Sequence, residues 1–171
     1  FTDPTGATVR AYDPAGRLRS EDKTVGATSY ALDWSYDQAG RVSAIDYPMV
    51  GGTREHVTFT YDASGRVATV GNYVTAVGYD ARGNVTVASL GNGASVARTY
   101  SPTRGWLTGQ TVTVGAAVRD QFSVTRDAAG NVTARTSTTD SRDAWLFSYD
   151  SLGRLVTANN TVDNLLDESF T

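Results

Sequence analysis

The chain lacks several residues on which whole classes of function depend. Its 171 residues include no cysteine, one histidine and one methionine. Without cysteine the protein can form no disulfide bond, no thiolate metal site and no cysteine nucleophile, although this does not fix its compartment. The sequence also has no apolar run of about 18 residues, so it predicts no membrane-spanning helix.

Neither sign of charge is in large excess. Fifteen Lys and Arg residues face eighteen Asp and Glu residues, which gives a formal net charge of −3. We predict no nucleic-acid partner, because binding a phosphate backbone needs a clustered positive surface and no basic tail is present. Every cation except Lys23 is an arginine. That preference fits contacts with aspartate, and it fits codon bias equally well.

Patterns typical of catalysis are missing as well. The sequence contains no GxSxG, HExxH, P-loop or GxGxxG context and no EF-hand-like loop. His56 could act as a base or a ligand, but no second histidine or cysteine accompanies it, so we predict an ordinary histidine at a strand end. Most carboxylates recur in turns, which favours a turn role over a catalytic pair. We therefore predict no enzyme activity, no cofactor and no metal.

Glycine is plentiful, while apolar residues are fewer than a compact protein usually has. The chain contains 17 glycines and is 40% hydrophobic. That content is too high for a disordered chain and low for a compact two-layer core. A single-layer curved sheet whose glycines lie mostly in turns accounts for both observations.

The chain is organised around the stretch VTFTYDASGRVATV, residues 57–70. Apolar residues alternate with threonine before its centre, as in a half-buried strand. Asp62 favours the first position of a type I turn, because its carboxylate can accept a backbone N–H two residues later. Gly65 suits the left-handed position that closes a three-residue hairpin loop with a bulge. This pairing sets Tyr61 opposite Val67 and an arginine opposite Asp62.

The pattern occurs seven times, at spacings of 18 to 26 residues. We number the copies one to seven; they begin at Tyr12, Tyr36, Tyr61, Tyr79, Tyr100, Arg126 and Tyr149. The signature residues are Tyr12, Asp13, Gly16, Arg17, Tyr36, Asp37, Gly40, Arg41, Tyr61, Asp62, Gly65, Arg66, Tyr79, Asp80, Gly83, Asn84, Asp127, Gly130, Asn131, Tyr149, Asp150, Gly153 and Arg154. Such a period indicates an array of supersecondary units. We predict that residues 1–171 form a single array, part of a longer chain because no initiator methionine begins it.

Copies five and six depart from the pattern. Copy five, YSPTRGWL, has Ser101 in place of aspartate and one extra residue before Gly105. It places Trp106 and Leu107 near the usual position of valine or leucine. Copy six has Arg126 where tyrosine is expected. We interpret both as degenerate members of the same array.

These patterns predict an all-β fold of consecutive antiparallel hairpins in a curved open sheet, with less than about one-fifth helix. The glycines of copies one to four, six and seven should have positive φ. Each signature tyrosine should pack against the Val or Leu two residues past its glycine. Residues 47–52, with Pro48, are predicted to form a loop, and residues 163–168 are the one stretch that could make a helical turn. Residues 18–33 are polar and mixed, and residues 34–36 then alternate into the next turn.

The signature Tyr-Asp-x-x-Gly-Arg-Leu at this spacing resembles that of the YD-repeat, or Rhs-repeat, family, and the resemblance runs from about Tyr12 to Val156. In that family the repeats form β-hairpins that spiral into a large hollow shell. Bacterial members enclose a toxic C-terminal domain in the shell, and teneurin-like animal relatives place it on the cell surface. Rhs proteins carry a self-cleaving aspartyl protease core and a variable toxin after the last repeats. This sequence shows neither of them.

The resemblance implies a non-enzymatic scaffold, a segment of a shell that encloses a toxin or other cargo domain, in a secreted or cell-surface protein. The expected partners are the remainder of a parent Rhs chain or its cargo domain, or further copies joined through unpaired sheet edges. The alternative is an extracellular carbohydrate- or protein-binding adhesin array of the same repeats. Aromatic rings usually pack between hairpins, so a row of exposed Trp and Tyr on one face would favour that alternative.

Overall fold

The computed structural model describes residues 2–3 and 6–170, and the side chains of residues 6–170. The regular structure of these residues consists of sixteen strands and one 3-10 turn. The first eight strands are β1 (Thr2–Asp3), β2 (Gly6–Tyr12), β3 (Leu18–Val25), β4 (Thr28–Tyr36), β5 (Val42–Asp46), β6 (His56–Tyr61), β7 (Val67–Val70) and β8 (Val74–Tyr79). The others are β9 (Val85–Leu90), β10 (Ala94–Tyr100), β11 (Leu107–Val114), β12 (Ala117–Arg126), β13 (Val132–Ser137), β14 (Ala144–Tyr149), β15 (Leu155–Asn160) and β16 (Glu168–Ser169).

The strands pair antiparallel in the order in which they occur in the sequence. The chain divides into two compact units, Phe1–Thr75 and Ala76–Thr171. In the first unit β1 to β7 pair consecutively, and in the second β9 to β16 do the same. Each unit is therefore a series of hairpins without crossover connections, which confirms the predicted fold class.

A β-bulge accompanies the signature residue at the end of six hairpin strands. The register shifts just before Tyr12, Tyr36, Tyr61, Tyr100, Arg126 and Tyr149. Such a bulge is what a three-residue loop closed by a left-handed glycine produces. The hairpin geometry predicted from residues 57–70 thus recurs in both units.

Helix is nearly absent from the described residues, as predicted. The 3-10 turn covers Asn164–Leu166, inside the stretch expected to form a helical turn, and Asp163 caps it by accepting a hydrogen bond from the Leu165 N–H. The segment between β5 and β6 is a loop, in which Val50 and Thr53 form an isolated bridge. Pro48 lies in that loop, where its missing N–H costs no ladder hydrogen bond.

Few side chains are fully enclosed, because most strands leave their residues partly open to solvent. Among the described residues only Ala44, Val57, Ala94, Gly109, Ala158 and Asn160 are buried. Along β12, intermediate and exposed residues alternate in its second half, the period of a strand with one face covered. The low apolar content of the sequence therefore agrees with a fold that has little enclosed core.

The sequence did not predict β3 or the first part of β4; only the end of β4, residues 34–36, showed the alternation of a strand. Strand β3 is polar and reads LRSEDKTV, whereas β4 reads TSYALDWSY and mixes polar with apolar and aromatic residues. Polar contacts follow the register on both sides of β3: Arg10 Nε on β2 lies 2.6 Å from Glu21 Oε2, and Ser29 Oγ on β4 donates to Asp22 Oδ1 at 2.5 Å. A strand in such an open sheet can be polar on both faces, so the alternation of apolar residues that reveals other strands is weak here.

Candidate functional site

The signature aspartate closes its own turn with both carboxylate oxygens. Asp62 Oδ1 accepts the backbone N–H groups of Ser64 and Arg66, each at 2.9 Å. Its Oδ2 accepts from Arg66 Nε at 2.8 Å, and its backbone oxygen accepts from the Gly65 N–H at 2.9 Å. The pair expected from sequence, aspartate with the arginine four residues later, is therefore a contact within one turn.

The same geometry holds in the other copies that keep the aspartate. Arginine Nε donates to the carboxylate at 2.7 Å in copies one, two and seven, formed by Asp13–Arg17, Asp37–Arg41 and Asp150–Arg154. In copies four and six an asparagine replaces the arginine, and its amide donates at 2.9 Å in the pairs Asp80–Asn84 and Asp127–Asn131. The turn therefore needs a side-chain donor at this position more than it needs a charge.

These hydrogen bonds stabilise the ionised form of the aspartates. The backbone N–H of the following arginine, and then its side chain, lower the pKa of Asp13, Asp37 and Asp150. In Asp62 the backbone N–H of Arg66 is the largest cause of the lowered pKa. In Asp80 and Asp127 the asparagine side chain is the largest cause. Acid should therefore weaken the turns.

The signature glycines adopt the conformation that was predicted. The φ angles of Gly16, Gly40, Gly65, Gly83, Gly130 and Gly153 lie between 75° and 101°. Some of these glycines also support a close approach from the preceding copy. A Cβ on Gly40 would lie 3.4 Å from Arg17 Nη1, and one on Gly130 would lie 2.8 Å from Trp106 Cζ2. In those turns glycine is favoured by packing as well as by φ.

The tyrosines connect one copy to the copy before it. Tyr61 and Val67 are cross-strand partners, as predicted. The Tyr61 hydroxyl, however, donates to the Val42 carbonyl of copy two at 2.7 Å. The same bond to the preceding copy occurs in three others: Tyr36 to Leu18 at 2.6 Å, Tyr100 to Val85 at 2.9 Å and Tyr149 to Val132 at 2.8 Å.

The arginines make the same connection through the faces of the rings. The Arg17 guanidinium lies 4.4 Å from the Tyr36 ring centroid, and Arg41 lies 4.2 Å from that of Tyr61. Each arginine thus binds the aspartate of its own turn and stacks on the tyrosine of the next copy, at cation–π distance. We call these hydroxyl–carbonyl bonds and arginine–ring contacts between successive copies the signature ladder.

Tyr12 differs from the other signature tyrosines. It faces Leu18 across its hairpin, as predicted, but it is 59% exposed. The described residues contain no copy before it whose carbonyl or arginine could cover its ring. The contrast shows that the ring is covered by the neighbouring copy and not by its own hairpin.

Copy five keeps the turn but changes its chemistry. The Ser101 hydroxyl accepts the N–H groups of Arg104 at 3.3 Å and Trp106 at 3.2 Å, longer than the 2.9 Å bonds to Asp62. Tyr100 pairs with Leu107, so Leu107 holds the Val or Leu position. Trp106 therefore occupies the arginine position, which corrects its predicted placement near the Val or Leu position. The extra residue is absorbed within the turn.

Copy six carries Arg126 at the tyrosine position, paired with Val132 in the usual register. Its Nη1 donates to the Gly130 carbonyl of its own turn at 2.9 Å. Arg126 has no hydroxyl that could bind the Leu107 carbonyl of the preceding copy. The ladder is therefore interrupted between copies five and six, and the cation and the aromatic ring have exchanged positions in the sequence.

The lone histidine agrees with its predicted role. His56 begins β6, is exposed, and its Nδ1 lies 2.7 Å from Asp46 Oδ1. Within residues 2–3 and 6–170 no group of three His, Asp or Glu side chains could hold a metal ion. The pair is a cross-strand contact, since Asp46 and His56 are opposite each other in β5 and β6.

Three tyrosines outside the signature form an exposed group in the first unit. Tyr30 and Tyr47 line a cavity of about 490 Å³ together with Glu55. The Tyr73 hydroxyl donates to Glu55, a hydrogen bond that raises the pKa of Tyr73. Tyr30, Tyr47 and Tyr73 are 47%, 39% and 55% exposed. The sequence did not single them out, because they share no motif and their proximity arises only from strand pairing.

The fold matches solved structures of toxin complexes. The chain superposes on the crystal structure of TcdB2-TccC3-Cdc42 with a TM-score of 0.80 and 16% identity over 92% of its residues. It matches TcdB2-TccC3 with a TM-score of 0.78 and 14% identity over 88%, and the Photorhabdus luminescens Tc holotoxin pore with 0.77 and 16% over 91%. In each case it spans 9% of the other chain.

These likenesses confirm the fold that the repeat signature predicted. No protein-family model and no curated protein sequence matches the chain. Its resemblance to the Rhs/YD-repeat proteins therefore rests on the repeated signature, while the solved structures show the shared hairpin fold. In the part of the chain that the structure describes, no helix is long and apolar enough to cross a membrane.

Proposed function

We propose that this chain is a non-enzymatic structural segment of an Rhs/YD-repeat shell, whose hairpins form part of a wall around a toxin or other cargo domain. The observation that carries the proposal is the signature ladder. In it, the tyrosine, aspartate and arginine that recur most strongly contact neighbouring copies or their own turn. Side chains occupied in this way build an array and are not free for catalysis.

The size of the matched structures supports a partner within the same polypeptide. The matched chains are much longer than this one, which covers 9% of each of them. We propose that residues 1–171 are one continuous part of such an array, held by the remainder of a parent chain and placed outside the cell. The 23 signature positions are proposed to serve this structural role.

Protease protection of the natural chain that contains these repeats tests the proposal. If the repeats form a wall, a domain encoded next to them resists digestion in the intact protein, and it becomes digestible when the ladder is weakened by Tyr36→Ala and Tyr61→Ala. The single variant Tyr30→Ala is the control, since Tyr30 is an exposed tyrosine outside the signature. Equal digestion of that domain in the intact protein and in the ladder variants would contradict enclosure.

Self-association through sheet edges is the corresponding proposal for the isolated chain. Unpaired strand edges template association, and repeat arrays usually need caps to remain soluble. Light scattering should therefore show a concentration-dependent mass for the 171-residue chain. A monomer that persists on dilution and concentration alike would contradict it.

The exposed tyrosine group favours a second candidate function, carbohydrate binding in an adhesin array. Flat tyrosine rings with an adjacent carboxylate suit the C–H face and the hydroxyl groups of a sugar, and here Tyr30, Tyr47 and Glu55 line one cavity. Binding to immobilised glycans that is lost in Tyr47→Ala and retained in Tyr12→Ala would support this function. Absence of binding to a broad glycan panel would remove it.

A further inference from the structure

A groove in the second unit lies where the signature ladder is interrupted. Its volume is about 420 Å³. The turn of copy five contributes Ser101, Arg104 and Trp106 to its lining, and β12 contributes Thr125 and Arg126. It thus lies between the two copies whose sequences depart from the signature, and it brings two arginines to one tryptophan.

Neither arginine of this groove is neutralised by the described residues. The ion pairs of residues 6–170 include neither Arg104 nor Arg126. By contrast, the signature arginines Arg17, Arg41 and Arg154 each bind the aspartate of their own turn. The groove therefore holds two cations without an ion-pair partner, whereas the arginines of these regular turns are paired.

The hydrogen-bonding capacity of Arg126 is also incompletely used. Its Nη1 donates to the Gly130 carbonyl, while its Nε is buried and has no partner. Arg104 lies over the Trp106 ring, 4.8 Å from its centroid, and its guanidinium makes no hydrogen bond to a described residue. A guanidinium group presents its donors in a planar fork that matches a carboxylate.

The sequence change that makes the groove is specific. At the position of Arg126 the regular copies carry a tyrosine, whose hydroxyl binds the carbonyl of the preceding copy. Arg126 leaves that bond unmade and brings a cation to the same position. The substitution removes a structural hydrogen bond and places charged donors beside an aromatic ring. Arginine together with tryptophan is typical of residues that dominate binding at recognition sites.

We propose that this groove binds an acidic side chain of an extended peptide segment from a protein partner. The carboxylate pairs with Arg126 and Arg104, and the flanking peptide packs against Trp106. Charge complementarity selects the occupant, because the groove contains two unpaired guanidinium groups and no acidic lining residue. Its volume exceeds that of a lone carboxylate and falls in the range of ligand pockets. The site does not depend on whether the repeats enclose a cargo.

The test is a titration of the 171-residue chain followed by the NMR signal of the Trp106 indole N–H, which is assigned by its loss in Trp106→Phe. The probe is the capped dipeptide acetyl-Asp-Glu-amide, and the matched neutral probe is acetyl-Asn-Gln-amide. We expect a saturable shift with the acidic probe alone, and its reduction at high salt. Acetate is titrated in parallel to separate a free carboxylate from a peptide.

Three variants locate the site. Arg126→Gln should weaken binding of the acidic probe by about tenfold or more, the usual effect of losing a charged hydrogen bond. Arg119→Gln removes the same charge from an exposed position of β12 outside the groove and should leave binding unchanged. Arg126→Tyr should abolish binding without lowering the melting temperature, because it restores the regular signature.

Several outcomes would overturn the proposal. One is the absence of a saturable shift, and another is equal binding of the neutral probe. Equal weakening by Arg119→Gln and Arg126→Gln would show a general charge effect. Acetate that binds as tightly as the dipeptide would contradict a peptide ligand, and binding that is retained in Arg126→Tyr would contradict the assigned site.

Discussion

Copies two and three follow the signature, whereas copies five and six change it, and the two pairs differ in what holds neighbouring hairpins together. In the first pair Arg41 stacks on Tyr61, whose hydroxyl binds the Val42 carbonyl. In the second pair Trp106 stands at the arginine position and Arg126 at the tyrosine position. In copies three and six the signature position nevertheless pairs with the valine six residues later, as Tyr61–Val67 and Arg126–Val132.

The comparison shows that the hairpin and the ladder are separate properties of the repeat. The turn tolerates Ser101 for aspartate and one additional residue, because a side-chain oxygen and a glycine of positive φ are still present. The ladder requires a particular pair of side chains on adjacent copies. Substitutions in the turn should therefore lower the free energy of unfolding less than substitutions in the ladder do.

The largest expected effect is that of removing a ladder ring. Tyr61→Ala should lower the free energy of unfolding by about 3 kcal/mol, at the lower end for an aromatic residue because the ring is only half-buried. Tyr12→Ala, the same change where no neighbouring copy covers the ring, should cost less than about 0.5 kcal/mol. Urea denaturation of both variants measures the difference, and equal costs would show that the ladder adds nothing.

A methyl group at a signature glycine should separate turn strain from packing. Gly130→Ala should cost about 2 kcal/mol, because it combines a positive φ with a Cβ only 2.8 Å from Trp106 Cζ2. Gly16→Ala should cost about 1 kcal/mol, since no side chain lies within 4 Å of its Cβ. Thermal denaturation of the pair reports the difference. If Gly16→Ala lowers the stability as much as Gly130→Ala does, the contact between Trp106 and Gly130 adds nothing to the cost of the substitution.

Restoring the signature in the interrupted pair should stabilise it. Arg126→Tyr is expected to raise the free energy of unfolding by about 1 kcal/mol, through a hydroxyl bond to the Leu107 carbonyl and burial of the ring. Arg126→Phe should keep the part of this gain that comes from burial of the ring and lose the part that comes from the hydroxyl bond. A loss of stability in Arg126→Tyr would mean that Arg126 has a structural role that its contacts do not reveal.

The smallest effect is a dependence on acid that should follow the aspartates. Hydrogen bonds from the backbone and side chain of the next arginine or asparagine lower the pKa of six signature aspartates in the folded chain. An unfolded chain binds these protons first, near pH 3.9. Their contribution to stability is therefore full above that pH and is lost as the pH falls through the lowered values.

Ser101 offers the matched variant for this acid dependence. Its hydroxyl does not titrate in this range, so Ser101→Asp should make the urea midpoint fall more steeply between about pH 5 and pH 2. Asp62→Asn should make the fall less steep. A midpoint that stays constant or rises as the pH drops in the wild-type chain would contradict the role of the carboxylates.

Much of this fold could be predicted because the sequence repeats its own turn. Asp62, Gly65 and Tyr61 are each explained by the geometry of one hairpin, and most of the seven copies repeat these residues. Strand β3 and the first part of β4 could not be predicted, since an open sheet allows polar residues on both faces. Burial therefore limits the prediction, because a strand with neither face buried shows no alternation of apolar and polar residues.

The candidate site was predictable only within one hairpin. The cross-strand pairs Tyr61–Val67 and Asp62–Arg66 follow from loop length. The bond from a tyrosine hydroxyl to the preceding copy does not, because it depends on how adjacent hairpins are placed, which the spacing of 18 to 26 residues leaves open. The group of Tyr30, Tyr47 and Tyr73 was missed for the same reason.

The central claim, that signature residues couple one copy to the next, is tested most directly by a double-mutant cycle of Arg41 and Tyr61. Arg41→Gln, Tyr61→Leu and the double variant should give a coupling free energy of about 0.5–1 kcal/mol. The control cycle pairs Tyr61 with Arg17, which stacks on Tyr36 instead, and should be additive. Additivity in the Arg41–Tyr61 cycle, equal to that of the control, would contradict the account.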